Sequence, residues 1–135
     1  MALRKARWLA WVALALALLL AGGCRRAETT DQAPDVQLTL SPDPDTLVVG
    51  PLRLDVTLRD ASGAPIDGAT DVSLRGDMSH AGMEPVLATA AGQGNGIYRA
   101  DFTWTMAGDW IVTVEATLPD GRLKVTQLEY AIQPN

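Results

Sequence analysis

The side chains of this sequence best suited to chemistry gather in one short stretch, Asp77-Met78-Ser79-His80-Ala81-Gly82-Met83-Glu84. His80 is the only histidine, and Met78 and Met83 flank it. Met1 is the initiator, and Met106 lies in a later turn. Thioether sulfur is soft and uncharged and does not titrate, so it favours Cu(I) over harder ions, while imidazole accepts copper in either oxidation state and also zinc. The Met-x-His-x-x-Met spacing lets one loop fold three side chains around a single ion, with Gly82 allowing a tight turn. Met106 would supply a fourth ligand if its turn sits at the same end of the fold. Asp77 and Glu84 are hard ligands and read as local charge.

The plain alternative is packing. Met78 and Met83 would cover the open end of a core, since methionine is an adaptable gap-filler, and His80 would be a solvated loop residue. Against that, no methionine of the mature domain falls on a clean alternating core position, and this is what favours the metal reading.

Cys24 is the only cysteine. Before it come a cationic start (Arg4, Lys5, Arg7), an apolar run from Trp8 to Ala21, and the small residues Gly22 and Gly23. The run is short for a bilayer span and fits the apolar region of an export signal. Leu20-Ala21-Gly22-Gly23-Cys24 resembles a lipobox, with Ala21 where the pattern prefers Leu. It implies cleavage before Cys24 and a lipid on its thiol. Several acyl chains, at about 0.8 kcal/mol per buried CH₂, would hold the chain firmly. The expectation is an extracytoplasmic protein anchored to a bacterial cell membrane through Cys24. With that thiol committed to lipid, no disulfide forms within the domain, and any soft metal site must use Met and His.

Loss of residues 1–23 removes three cationic and no acidic side chains, so the formal charge moves from −5 to −8. A domain this acidic has no electrostatic reason to bind nucleic acid. Residues 24–35, with Arg25-Arg26 and a polar stretch to Pro34, read as the lipidated cysteine and a flexible tether. Residues 36–135 read as one domain.

Within it, period-2 segments alternate with turn signals. Val36, Leu38 and Leu40 begin the series before Ser41-Pro42-Asp43-Pro44-Asp45. Leu52, Leu54, Val56 and Leu58 alternate with polar residues as a half-buried strand. Asp60 to Gly68 is turn chemistry. Val72 to Arg75 and Val86 to Ala90 are short strands, and Gly92-Gln-Gly-Asn-Gly96 reads as loop. Tyr98, Ala100, Phe102 and Trp104 share one face, as do Trp110, Val112, Val114 and Ala116. Pro119-Asp120-Gly121 turns into a last strand through Leu128, Tyr130 and Ile132. The fold class is therefore all-β, an immunoglobulin-like antiparallel sandwich of about seven strands, with Trp104 and Trp110 as buried anchors. Asp43, Asp45, Asp60 and Asp67 are turn residues whose side chains bond nearby N–H groups, and Gly108 supplies a positive φ.

Met78-Ser-His80-Ala-Gly-Met83, then Gly96-Ile97-Tyr98-Arg99-Ala100-Asp101-Phe102, then Met106-Ala107-Gly108-Asp109-Trp110-Ile111-Val112-Thr113-Val114 together resemble the YtkA-like and FixH-like domains of bacterial envelope proteins. The resemblance covers roughly residues 36–132. It implies an immunoglobulin-like sandwich associated with copper handling and respiratory oxidase assembly, and hence a copper-accepting respiratory or envelope protein as partner. The alternative function is a structural or docking module that binds no metal. An enzyme is not expected, because a single histidine and no free thiol leave acid–base or nucleophilic catalysis little to work with.

Overall fold

The computed structural model describes residues 29–80 and 82–135. The signal segment, Cys24 and Ala81 lie outside the described residues. Eight strands follow in order: β1 (Gln37–Asp43), β2 (Gly50–Arg59), β3 (Thr70–Met78), β4 (Val86–Thr89), β5 (Ala91–Gly94), β6 (Ile97–Trp104), β7 (Gly108–Thr117) and β8 (Leu123–Ile132). They form two four-stranded antiparallel sheets, ordered β1-β2-β6-β5 and β4-β3-β7-β8. That is the strand order of an immunoglobulin constant-type domain with one strand added beside the third.

The sheets are held face to face by the residues whose alternation marked them. Leu54, Val56 and Leu58 of β2, all four inward residues Tyr98 to Trp104 of β6, and Trp110, Val112, Val114 and Ala116 of β7 are buried. Trp104 and Trp110 meet edge to face at 5.4 Å, a geometry worth about 0.5–1.5 kcal/mol beyond the area they bury. Among the described residues, the Trp104 indole N–H is the one buried side-chain polar atom without a partner. Such an orphan costs about 1–3 kcal/mol. Truncating a buried Trp costs about 3–5 kcal/mol, so the ring remains worth burying.

Three segments differ from the expectation. The Gly-rich stretch is half strand: β5 pairs with β6, and only Asn95-Gly96 turns, with φ of 56° and 72°. This is Asn-Gly hairpin chemistry, in which both central residues take positive φ. Gly96 is also needed for space, because a Cβ there would run into the Leu58 carbonyl oxygen. Second, β3 extends well past Arg75, to Met78.

Third, the chain enters the fold before residue 35. Ala33 is fully buried, and the Gln32 N–H donates to the Leu123 carbonyl at 2.8 Å. The cause is Lys124, at an inward position of β8 and only 6% exposed. Its Nζ donates to Asp31 Oδ2 at 2.9 Å and to the Ala33 carbonyl at 3.1 Å. A buried ammonium needs such partners. The expected tether therefore gives way to ordered backbone by about Asp31.

The turn aspartates divide. Asp60 accepts the N–H groups of Ser62 and Ala64 as expected. Asp67 instead reaches across to the Gly96 N–H at 2.8 Å, and Asp43 pairs with Arg53.

Candidate functional site

Strands β3 and β7 carry the Met/His segment and the Met106 turn to the same end of the sandwich. Met78, last in β3, stands opposite Trp110 near the start of β7. The Ser79 N–H donates to the Asp109 carbonyl at 3.1 Å, continuing the ladder one step past the strand. The indole N–H of Trp110 donates to the Met106 carbonyl at 3.0 Å, so the buried ring fixes the turn that presents Met106. Gly108 completes that turn with φ of 132°.

The four candidate ligands are not equivalent. Met78 is half-buried and packs against the core. It continues the inward series Val72, Leu74, Gly76 on β3, so it does occupy an alternating core position, contrary to the sequence expectation. The alternation was hard to see because Gly76 contributes no side chain to it. A Cβ at Gly76 would lie 2.6 Å from Phe102 Cζ and 3.3 Å from Trp110 Cε3. The glycine leaves room for Phe102 of the facing sheet, and sequence reasoning did not single it out.

His80, Met83 and Met106 are exposed, Met83 by 40% and Met106 by 47%. His80 makes no hydrogen bond among the described residues. The loops that carry His80, Met83 and Met106 leave the sandwich at the same end, where Met78 closes the inward face of β3. Among the described residues no three of His, Cys, Asp and Glu converge as a metal group. The candidate ligands themselves, one imidazole nitrogen and three thioether sulfurs, are a soft set of the kind that suits Cu(I) and suits Mg²⁺ or Ca²⁺ poorly.

Two open grooves lie on the outer face of the β4-β3-β7-β8 sheet. One, about 460 Å³, is bordered by Ser73, Arg75, Leu87, Thr89, Thr113 and Glu115. The other, about 380 Å³, runs down from Ser79 past Asp109, Ile111 and Glu129. Neither groove is lined by His80 or by a methionine. Arg75 is tied to Asp77 by two hydrogen bonds of 2.8 Å.

Similarity to solved structures is distant. MtrC from Shewanella baltica OS185 aligns with 73% of this chain at 15% identity and a TM-score of 0.48, and the match spans only 22% of that longer chain. Murine CRIg aligns with 73% of this chain and 98% of its own at 12% identity and a TM-score of 0.43. No curated protein matches the chain. The YtkA-like family profile matches residues 30–115, a span that contains the Met/His segment, the Asn-Gly hairpin, the Met106 turn and most of β7. The chain belongs to the YtkA-like family.

Proposed function

We propose that this protein is a lipid-anchored, extracytoplasmic Cu(I)-binding protein that buffers or passes on copper at the bacterial cell envelope. His80, Met83 and Met106 would be the accessible ligands, with Met78 at the base of the site. The observation that carries the reading is the exposure of Met83 and Met106 on either side of the Ser79–Asp109 hydrogen bond. Burying a side chain of this size stabilises a fold by about 1.5–3 kcal/mol, and Met83 and Met106, 40% and 47% exposed, forgo part of that, which supports a role beyond packing. The donor set fits Cu(I), and bound copper would supply a soft, exchangeable thioether-held ion. Cys24 would carry the anchor, and an oxidase or other envelope protein would receive the metal.

The test is a Cu(I) titration of residues 27–135 against a chromophoric chelator. Sub-micromolar affinity that is lost in a His80→Ala/Met83→Ala variant supports the proposal. No competition with the chelator would sink it. In that event the docking-module reading would take its place, supported by Leu87, which is 69% exposed on the outer sheet face.

A further inference from the structure

The thioethers at the Met/His end fall into two classes. Met78 sits on the inward face of β3, packs against the core and lays its terminal methyl against Gly108. Met83 and Met106 are exposed and lie outside the buried core. What holds the Met106 turn is main chain: the Met106 carbonyl, and not its sulfur, accepts the Trp110 indole N–H at 3.0 Å. Beyond Met78, β3 is joined to β7 by backbone as well, from the Ser79 N–H to the Asp109 carbonyl. Chemistry at either exposed sulfur therefore leaves these supports in place.

From this division we infer that Met83 and Met106 form a reversible oxidation site, at which a two-electron oxidant such as hydrogen peroxide switches off Cu(I) capture without unfolding the domain. The switching rests on the copper reading proposed above, whereas the order in which the sulfurs react rests on exposure alone. A sulfur lone pair attacks one peroxide oxygen and the O–O bond breaks. The departing hydroxide takes the proton of the transferred hydroxyl and leaves as water. Sulfur has then given two electrons to the peroxide and stands as the sulfoxide. That group is polar and presents oxygen, a hard donor that suits Cu(I) poorly. Conversion of both exposed thioethers leaves only His80 and the shielded Met78.

The fold responds differently at the two kinds of position. Met83 and Met106 already face water, so the new dipole is solvated where it forms. At Met78 it would be forced against the core, where a polar group without a partner is unfavourable. Reversal falls to a sulfoxide reductase drawing on a dithiol: the oxygen leaves as water and the dithiol closes to a disulfide. The described residues contain no cysteine, so that dithiol belongs to another protein.

The experiment exposes the metal-free full chain, in detergent, to limited hydrogen peroxide, stops the reaction with catalase and maps sulfoxides by peptide mass spectrometry. Met83 and Met106 should react several-fold faster than Met78 in the folded protein, and at similar rates to it in concentrated urea. Protein oxidised at those two positions should keep its thermal midpoint and lose Cu(I) affinity many-fold against the chromophoric chelator. Treatment with methionine sulfoxide reductase and dithiothreitol, removed before titration, should restore the affinity. Met78 reacting as fast as the other two in the folded state, a lowered midpoint, or unchanged affinity would each overturn the inference. Unmodified protein that binds no Cu(I) would sink the copper reading and the switch with it. That outcome is distinguishable, because the order of oxidation and the midpoint are read without metal.

Discussion

The terminal methyl of Met78 rests against Gly108, 3.0 Å from where a Cβ would stand on that glycine. This contact joins the Met/His segment to the Met106 turn, and it makes Gly108 subject to two separate constraints. One is the φ of 132°, which L side chains rarely adopt. The other is the close approach of Met78, whose end can swing aside. Backbone strain of this kind costs about 1–3 kcal/mol, and displacing one flexible methyl costs less.

Gly108→Ala is therefore expected to lower stability by about 1–3 kcal/mol, read as a shift in the urea midpoint. Removing the contact by adding Met78→Ala should recover little of that loss, because the backbone dominates. A double mutant in which most of the stability lost to Gly108→Ala returns would show that the contact, and not φ, governs this glycine.

Gly76 presents the converse case. Its φ is ordinary, and space alone requires it: Phe102 Cζ would lie 2.6 Å from an added Cβ. Phe102 cannot turn away freely, since it packs edge-on against Trp104 at 4.9 Å. Gly76→Ala should cost about 1–3 kcal/mol through overpacking, and Phe102→Leu in the same chain should return part of it. A Gly76→Ala protein with the wild-type thermal midpoint would contradict the assigned contact.

These two glycines show what the sequence made legible and what it hid. Alternation on β6 and β7 placed Trp104, Trp110 and their neighbours correctly because a buried face every second residue reads directly as apolar letters. At Gly76 the inward position is empty and at Lys124 it is charged, so the same pattern fell silent where the chain was still strand. The reach of β3 beyond Arg75, the core position of Met78 and the ordered chain from Asp31 are therefore features that alternation does not encode. The turn of Gly108 was legible from residue type. Its contact with Met78 depends on β3–β7 register, which no local pattern encodes. His80, Met83 and Met106 could be selected by their chemistry, and their gathering at one end follows from β3 pairing with β7.

The Lys124–Asp31 clamp yields the last prediction. Partial burial of Asp31 opposes its ionisation, but the Lys124 ammonium and the N–H groups of Ala33 and Val125 outweigh that effect and lower its pKa below the ordinary 3.8. With a depressed folded pKa, the unfolded chain takes up the proton first as pH falls. The stabilisation is thus fully present above about pH 4 and is lost as pH drops through the folded value. The amide proton of Val125 bonds to this carboxylate, so its chemical shift should titrate with a midpoint below 3.8. Lys124→Met removes the largest of the effects that favour the carboxylate and should move that midpoint upward. It should also shallow the loss of stability between pH 4 and the folded pKa. A midpoint at or above the ordinary aspartate value in the unmutated protein would mean that Asp31 is not clamped in solution. The ordered chain would then begin nearer β1, as the sequence alone suggested.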